Sequence, residues 1–229
     1  MALPTLNTPK FKVKVYSEDN KEYQLRPFLV KEAKLLLIAQ QSEDPKEMIH
    51  AMQDCVTRCS DGKLDGKKLP FFDLQHVFIQ LRIQSVGAIT EFKLVCGECN
   101  THTPSKLDLN QIELQIDPNN NKKIMLTPEV GVMMKYPSAE ILADLEKPAF
   151  DLVVDCIDKI FDQNEVYDAK EEGREEVVKF VEGLTNDQFE LFSVFFKTVP
   201  KIQKVINYKC KTCEKENVVV IDGVQNFFG

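Results

Sequence analysis

Two pairs of cysteines carry the chemistry in this sequence: Cys96-Gly97-Glu98-Cys99 and Cys210-Lys211-Thr212-Cys213. Two residues between thiolates let one tight turn aim both sulfurs at a single ion. Two such turns supply the four soft ligands of a tetrahedral zinc site. The pairs share a context. Phe92-Lys93-Leu94-Val95 leads into the first and Val205-Ile206-Asn207-Tyr208-Lys209 into the second, and an extended run follows each. The pattern predicts one structural Zn2+ per chain, held by Cys96, Cys99, Cys210 and Cys213. Four cysteines leave no open coordination position, which argues against a catalytic metal.

The separation is long. The pairs are 110 residues apart, against about 15 to 20 in common sites of this type. Closure entropy grows only with the logarithm of loop length, so each doubling costs about 0.6 kcal/mol. Structural zinc contributes an apparent 10 to 16 kcal/mol, roughly, in small peptides. The metal term dominates, provided the intervening helices bring their ends together. Lys93, Lys209, Lys211 and Lys215 flank the ligands and can offset the negative charge of four thiolates on a dication. A turn amide near Gly97 can donate to sulfur.

Other readings compete. Thioredoxin-like redox chemistry requires a pair that opens a helix in a βαβ unit, and neither does so. A disulfide within each pair, or no cofactor at all, stays open. His102 could replace a cysteine, although a solvated loop histidine is simpler. Cys55 and Cys59 have metal-like i, i+4 spacing, but they share an apolar stripe with Met48 and Met52 and read as core. Cys156, inside an apolar helix, reads the same way.

Composition bounds the rest. The 229 residues suffice for one large domain or two small ones, and 43% hydrophobic with 28% charged is ordinary for a globular chain. A net charge of −7 opposes generic attraction to nucleic-acid phosphates. Met-Ala-Leu-Pro-Thr-Leu-Asn has no basic stretch before an apolar run, so no signal peptide is expected. No run approaches the roughly 18 apolar residues of a membrane span. A soluble chain made in a cytosol is expected. The odd count of seven cysteines argues against a secreted disulfide framework. Phosphate-loop, His-Glu-x-x-His, Gly-x-Ser-x-Gly and dinucleotide signatures are all missing. His50, His76 and His102 are scattered, and no catalytic residue is expected. The carboxylates between Asp168 and Glu176 read as a solvated helix start.

The elements that must position the cysteines follow from periodicity. Phe11, Val13 and Val15, then Tyr23 and Leu25, alternate on either side of Ser17-Glu18-Asp19-Asn20 and predict a β-hairpin. Helices are expected over 29–41, strongly apolar at Leu35 to Ile38; from Asp44-Pro45-Lys46-Glu47, with Asp44 as cap; and over 74–86. Residues 61–68 read as an exposed loop. A strand is expected over 91–95 and extended structure over 124–134. Further helices are expected over 139–146, 150–161, 172–184 and 186–199. Thr185 and Gln188 form a capping box on the last, and Phe189, Phe192, Phe195, Phe196 and Val199 make its apolar face. Strands over 204–208 and 217–221 bracket the second cysteine pair.

This is an α+β chain with an N-terminal β-hairpin, two mainly helical blocks, and a split four-cysteine zinc ribbon closed by two distant knuckles. The expected boundaries are 1–27 for the extended segment and hairpin and 28–88 for a helical block. The split ribbon takes 89–110 plus 203–223, the inserted, mainly helical block 111–202, and the tail 224–229. Zinc would then fix how the helical blocks face one another. The two ends, Leu3 to Pro9 and Asn226-Phe227-Phe228-Gly229, either dock on their own domain or reach a partner.

A resemblance joins these readings. Leu3-Pro4-Thr5-Leu6-Asn7-Thr8-Pro9 leads into the hairpin, and Arg26-Pro27-Phe28-Leu29-Val30-Lys31-Glu32-Ala33-Lys34 leads into Leu35-Leu36-Leu37-Ile38-Ala39. This resembles the baseplate hub assembly proteins of T-even-like contractile-tailed bacteriophages. The resemblance covers most of the chain and is strongest in its first 60 residues. It implies a non-enzymatic assembly or structural protein that contacts other baseplate hub proteins. It also implies action in the host cytoplasm during assembly, with the virion tail baseplate as a further location. It transfers no site residue. The alternative is a nucleic-acid-binding zinc-ribbon module, which the acidic balance and the few aromatics among basic residues oppose.

Overall fold

The computed structural model describes residues 7–42, 44–142 and 147–222. Most of the segment Leu3 to Pro9, all of Asn226 to Gly229, and the last four residues of the helix expected over 139–146 lie outside the described residues. In chain order the elements are β1 (Phe11–Val15), β2 (Lys21–Leu25), α1 (Val30–Gln41), α2 (Pro45–Cys59), α3 (Phe71–Val86), β3 (Ile89–Val95), β4 (His102–Asp108) and β5 (Leu114–Gln115). There follow β6 (Lys123–Met125), β7 (Gly131–Met134), α4 (Ala139–Leu142), α5 (Ala149–Cys156), β8 (Ile157–Phe161), β9 (Val166–Asp168), α6 (Ala169–Glu172), α7 (Arg174–Glu182) and α8 (Asn186–Thr198). The chain closes through β10 (Lys201–Lys209) and β11 (Glu216–Asp222). Two compact units result: one holds the chain up to Gln115 together with residues from Ile202 onward, the other Ile116–Lys201.

The first unit begins with the hairpin that alternation predicts, paired from Phe11↔Leu25 to Val15↔Lys21. Val13, Val15 and Leu25 are buried. Its connection needs two left-handed residues, which Asp19 and Asn20 supply, as residues with short polar side chains do most readily. The backbone amides of Tyr16 and Ser17 both donate to the carboxylate of Asp73 on α3, at 2.9 and 2.8 Å. Asp73 is fully buried, and this pairing satisfies its charge while fastening the hairpin to the helix.

A second buried carboxylate joins three elements. Glu32 accepts from the Leu29 amide at the start of α1 (2.8 Å) and from Arg26 after β2 (3.1 Å). The Arg26 amide in turn donates to the Cys59 carbonyl at the end of α2. On α2, Asp44 caps the Lys46 amide, and Met48, Met52, Cys55, Val56 and Cys59 are all buried as one stripe.

The apolar run of α1 does not enter the core as a block. Leu36 and Ala39 are buried, whereas Leu35, Leu37 and Ile38 stay exposed, because successive helical residues turn by about 100° and cannot share one face. The loop over 61–68 is exposed as expected at six of its eight positions, with Leu64 and Gly66 buried. Leu64 holds the Ser60 hydroxyl, and Gly66 lies so close to α2 that a Cβ there would collide with the Gln53 carbonyl oxygen.

The second unit carries a four-stranded antiparallel sheet, β6-β7-β8-β9, with helices packed on it. Its core includes Val132, Met134, Val153, Val154, Ile157, Val177, Val181, Phe192 and Phe195. Thr185 and Gln188 form the expected capping box on α8, and Phe189, Phe196 and Val199 pack around the buried phenylalanines. The helix expected over 150–161 ends at Cys156. Residues 157–161 form β8 instead, with Ile160 opposite Val132 and Tyr167 in its neighbours. Apolar spacing at 150, 153, 154, 157, 160 and 161 fits a helix throughout. Pairing partners on both sides, and the β-branched and aromatic side chains of Ile157, Ile160 and Phe161, decide for the strand.

The Glu32 contact makes acid stability testable. Burial alone would raise its carboxyl, but Arg26 and the Leu29 amide outweigh it and hold the group below its ordinary 4.5. A depressed carboxyl contributes stability above its unfolded pKa and loses it as pH falls through the folded value. Urea denaturation should therefore show stability falling as pH drops below that ordinary value. Arg26→Ala should cost about 3 kcal/mol at neutral pH, because it strands a buried charge, and should reduce the acid-dependent loss.

Candidate metal centre

Each cysteine pair sits in the turn of a hairpin. β3 and β4 are paired from Ile89↔Asp108 to Val95↔His102, so the chain leaves β3 at Cys96 and returns at His102. β10 and β11 are paired from Gln203↔Asp222 to Lys209↔Glu216, with Cys210 just past the end. The two turns repeat one backbone pattern. The Cys96 amide donates to the Thr101 carbonyl and the Asn100 amide to the Cys96 carbonyl. Likewise the Cys210 amide donates to Lys215 and the Glu214 amide to Cys210. Asn100 and Glu214 hold the same place and both are left-handed, at φ 54° and 57°.

The turns bring the sulfurs together. All four Sγ atoms lie within 4.8 Å of one another, with Cys96 3.6 Å from Cys213 and Cys99 3.6 Å from Cys210. A disulfide requires about 2.05 Å. The edge of a tetrahedron with zinc–sulfur bonds of about 2.3 Å is roughly 3.8 Å. The spacing therefore fits four ligands on one ion. Cys96 and Cys210 are buried, and Cys99 and Cys213 face solvent. Neither pair opens a helix, so the redox geometry is absent.

Ionisation gives the same answer. The amides of Cys99 and Glu98 draw the Cys96 thiol down to about 6. The Thr101 hydroxyl and amide lower Cys99. The Lys215 amide pulls Cys213 down as well, but contact with Cys99, burial, and the neighbouring Cys96 and Cys210 push it up to about 12. Four thiols this close cannot all ionise alone, and a bound dication removes the conflict.

Several sequence readings of the surroundings change. The expected turn amides near Gly97 that donate to sulfur are those of Glu98 and Cys99, on Cys96, while the amide of Gly97 itself donates to Asn217 Oδ1 at 3.1 Å. Lys209 pairs with Glu214 and Lys215 with Glu98, so acids of the turns already hold two of the lysines expected to balance the thiolates. Both pairs of cysteines belong to the first unit. A metal there ties two segments of that unit, rather than setting how two helical blocks face each other. Cys55 and Cys59 are buried on α2, and Cys156 lies in the second unit's core, raised to about 12 by burial. Thr101 and Asn217, which touch Cys99 and Cys96, escaped the sequence reading. Their positions in the hairpins, five and seven residues after the first cysteine of their pair, are the signal that could have found them.

The family model for the T4 bacteriophage base plate protein matches residues 8–229. The chain belongs to that family. No curated protein and no solved structure matches it. Membership supports a structural role for this baseplate protein, a place in the virion tail, and interaction with other phage structural proteins. Among the described residues, no helix is long and apolar enough to cross a membrane.

The left-handed corner of the first turn can be tested. Asparagine offsets most of the steric cost of this conformation, about 1–2 kcal/mol for other residues with a Cβ, because its short polar side chain hydrogen-bonds locally, and glycine escapes that cost. In denaturant titrations Asn100→Ala should lose about 1 kcal/mol relative to the natural chain, while Asn100→Gly should stay close to it.

Proposed function

We propose that this baseplate protein is a non-enzymatic component of the baseplate hub, stabilised by one structural zinc on Cys96, Cys99, Cys210 and Cys213. It acts through protein–protein contacts and is assembled in the host cytoplasm. The observation that carries the metal reading is the mutual approach of four sulfurs within 4.8 Å. Thiolate softness and near-tetrahedral spacing favour zinc over calcium or magnesium, which prefer oxygen. With all four positions filled by protein, the ion has no place for a reacting water. The split ribbon then serves as the zinc module, and the residues between its halves as an inserted block.

Contact with other baseplate proteins has a candidate surface. On α1, Val30, Leu37 and Ile38 are 86%, 58% and 52% exposed. Val30, Leu37 and Ile38 fall on one side of the helix at i, i+7, i+8 spacing, and an apolar stripe left in solvent marks an interaction site.

Purified protein should contain one zinc per chain by elemental analysis. Cys99→Ser should lose both the metal and thermal stability, whereas Cys156→Ser should keep its zinc. A metal-free chain of full stability would refute the zinc reading. The double variant Leu37→Asp/Ile38→Asp should retain zinc and a normal circular dichroism spectrum. It should fail to enter baseplates, however, when supplied in place of the natural protein in an assembly reaction. Immunogold labelling away from the central hub would overturn the hub assignment.

A further inference from the structure

Asn217 stands at an unusual place. It lies on β11, seven residues after Cys210, yet its carboxamide reaches the opposite turn. Its Oδ1 accepts from the Gly97 amide at 3.1 Å, and its Nδ2 donates to Cys96 Sγ at 3.5 Å and to the Lys215 carbonyl at 2.9 Å. One side chain thereby touches both turns and a ligand sulfur.

The arrangement is one-sided. The turns share their backbone hydrogen bonds, so the place equivalent to Asn217 in the first hairpin is Thr103, seven residues after Cys96. The Thr103 hydroxyl is buried and makes no hydrogen bond. Thr101 contacts Cys99 from within its own turn. Among the described residues, Cys96 is therefore the ligand sulfur that receives a side-chain N–H from across the centre.

We propose that Asn217 is the positioning residue of the metal centre, a clasp that aligns the first turn on the second and stabilises the Cys96 thiolate. This rests on the zinc reading above. Both of its bonds to the first turn involve groups present with or without metal, so it holds the two turns in register before an ion arrives. Once the ion is bound, the Nδ2–H draws charge from Cys96, which bears part of the excess negative charge of four thiolates on a dication. Hydrogen bonds of this kind orient ligands and tune their affinity. Cys99 and Cys213, exposed and without such a cross-turn donor, are the sulfurs from which the metal departs first.

The test uses the full chain in its zinc form, with zinc transfer to a chromophoric chelator and zinc content as readouts. Asn217→Ala should weaken zinc binding about 10- to 100-fold. Asn217→Asp keeps the acceptor for Gly97 and the shape, but it loses the donor to sulfur and sets a carboxylate beside it. It should be weakened at least as much. In the cobalt(II)-substituted protein the sulfur-to-metal charge-transfer band should shift in Asn217→Asp, a change that a purely structural role would not produce. Thr103→Val, which removes an unpartnered hydroxyl, should bind zinc as the natural chain does. Natural affinity and an unshifted cobalt spectrum in both Asn217 variants would overturn the clasp and leave the zinc reading intact. A natural chain that binds no zinc would overturn both.

Discussion

The first unit depends on a chain that leaves it after Gln115 and must come back to where it started. Two contacts enforce the return. β10 pairs with β5 in the three-stranded sheet β11-β10-β5, and Gln203 donates to Gln115 across it at 2.7 Å. Farther along, the second cysteine turn meets the first. The sheet closes the long excursion at its root, so the four sulfurs meet without having to carry the whole entropy of that closure. An ion held at their centre would add to this closure, since its release requires several thiolates to part together.

The polar interior of this unit follows a related logic. Asp73 and Glu32 are both fully buried carboxylates, and each is satisfied by groups from a different stretch of chain. Asp73 holds the hairpin corner to α3, and Glu32 holds the end of β2 to the start of α1. Buried charges tolerate only partners in the right place, so they fix arrangement where apolar packing alone would permit sliding. The second unit uses the other strategy. Its core is aliphatic and aromatic, with Phe192 and Phe195 buried on α8 and Tyr136 stacked on Phe195.

For a baseplate protein these features suit a structural part more than a catalyst. The candidate metal centre spends all four ligand positions on protein, and the polar groups that are buried pin segments together. What the surface offers is shape and apolar area, of which α1 carries a conspicuous share.

Much of the site was legible in the residues. Cysteine spacing, the strand before each pair and the likeness in the first 60 residues pointed to four sulfurs on one ion and to a phage baseplate. Local signals were equally clear for the hairpin, for the Asp44 and Thr185 caps and for the phenylalanine face of α8, because each depends on neighbours within a few positions. Other features needed partners distant in sequence. Residues 157–161 carry helical spacing and became a strand because β7 and β9 flank them. Leu35 to Ile38 is one apolar run, and Leu37 and Ile38 are exposed because the core meets α1 on its Leu36 and Ala39 side. Asn217 is an ordinary strand residue until the opposite turn comes within its reach. Residue type and short-range spacing determined which groups could bind, cap or pair. Tertiary structure decided which of them met, since strand pairing, helix orientation and cross-turn hydrogen bonds are settled by contacts that no local pattern encodes.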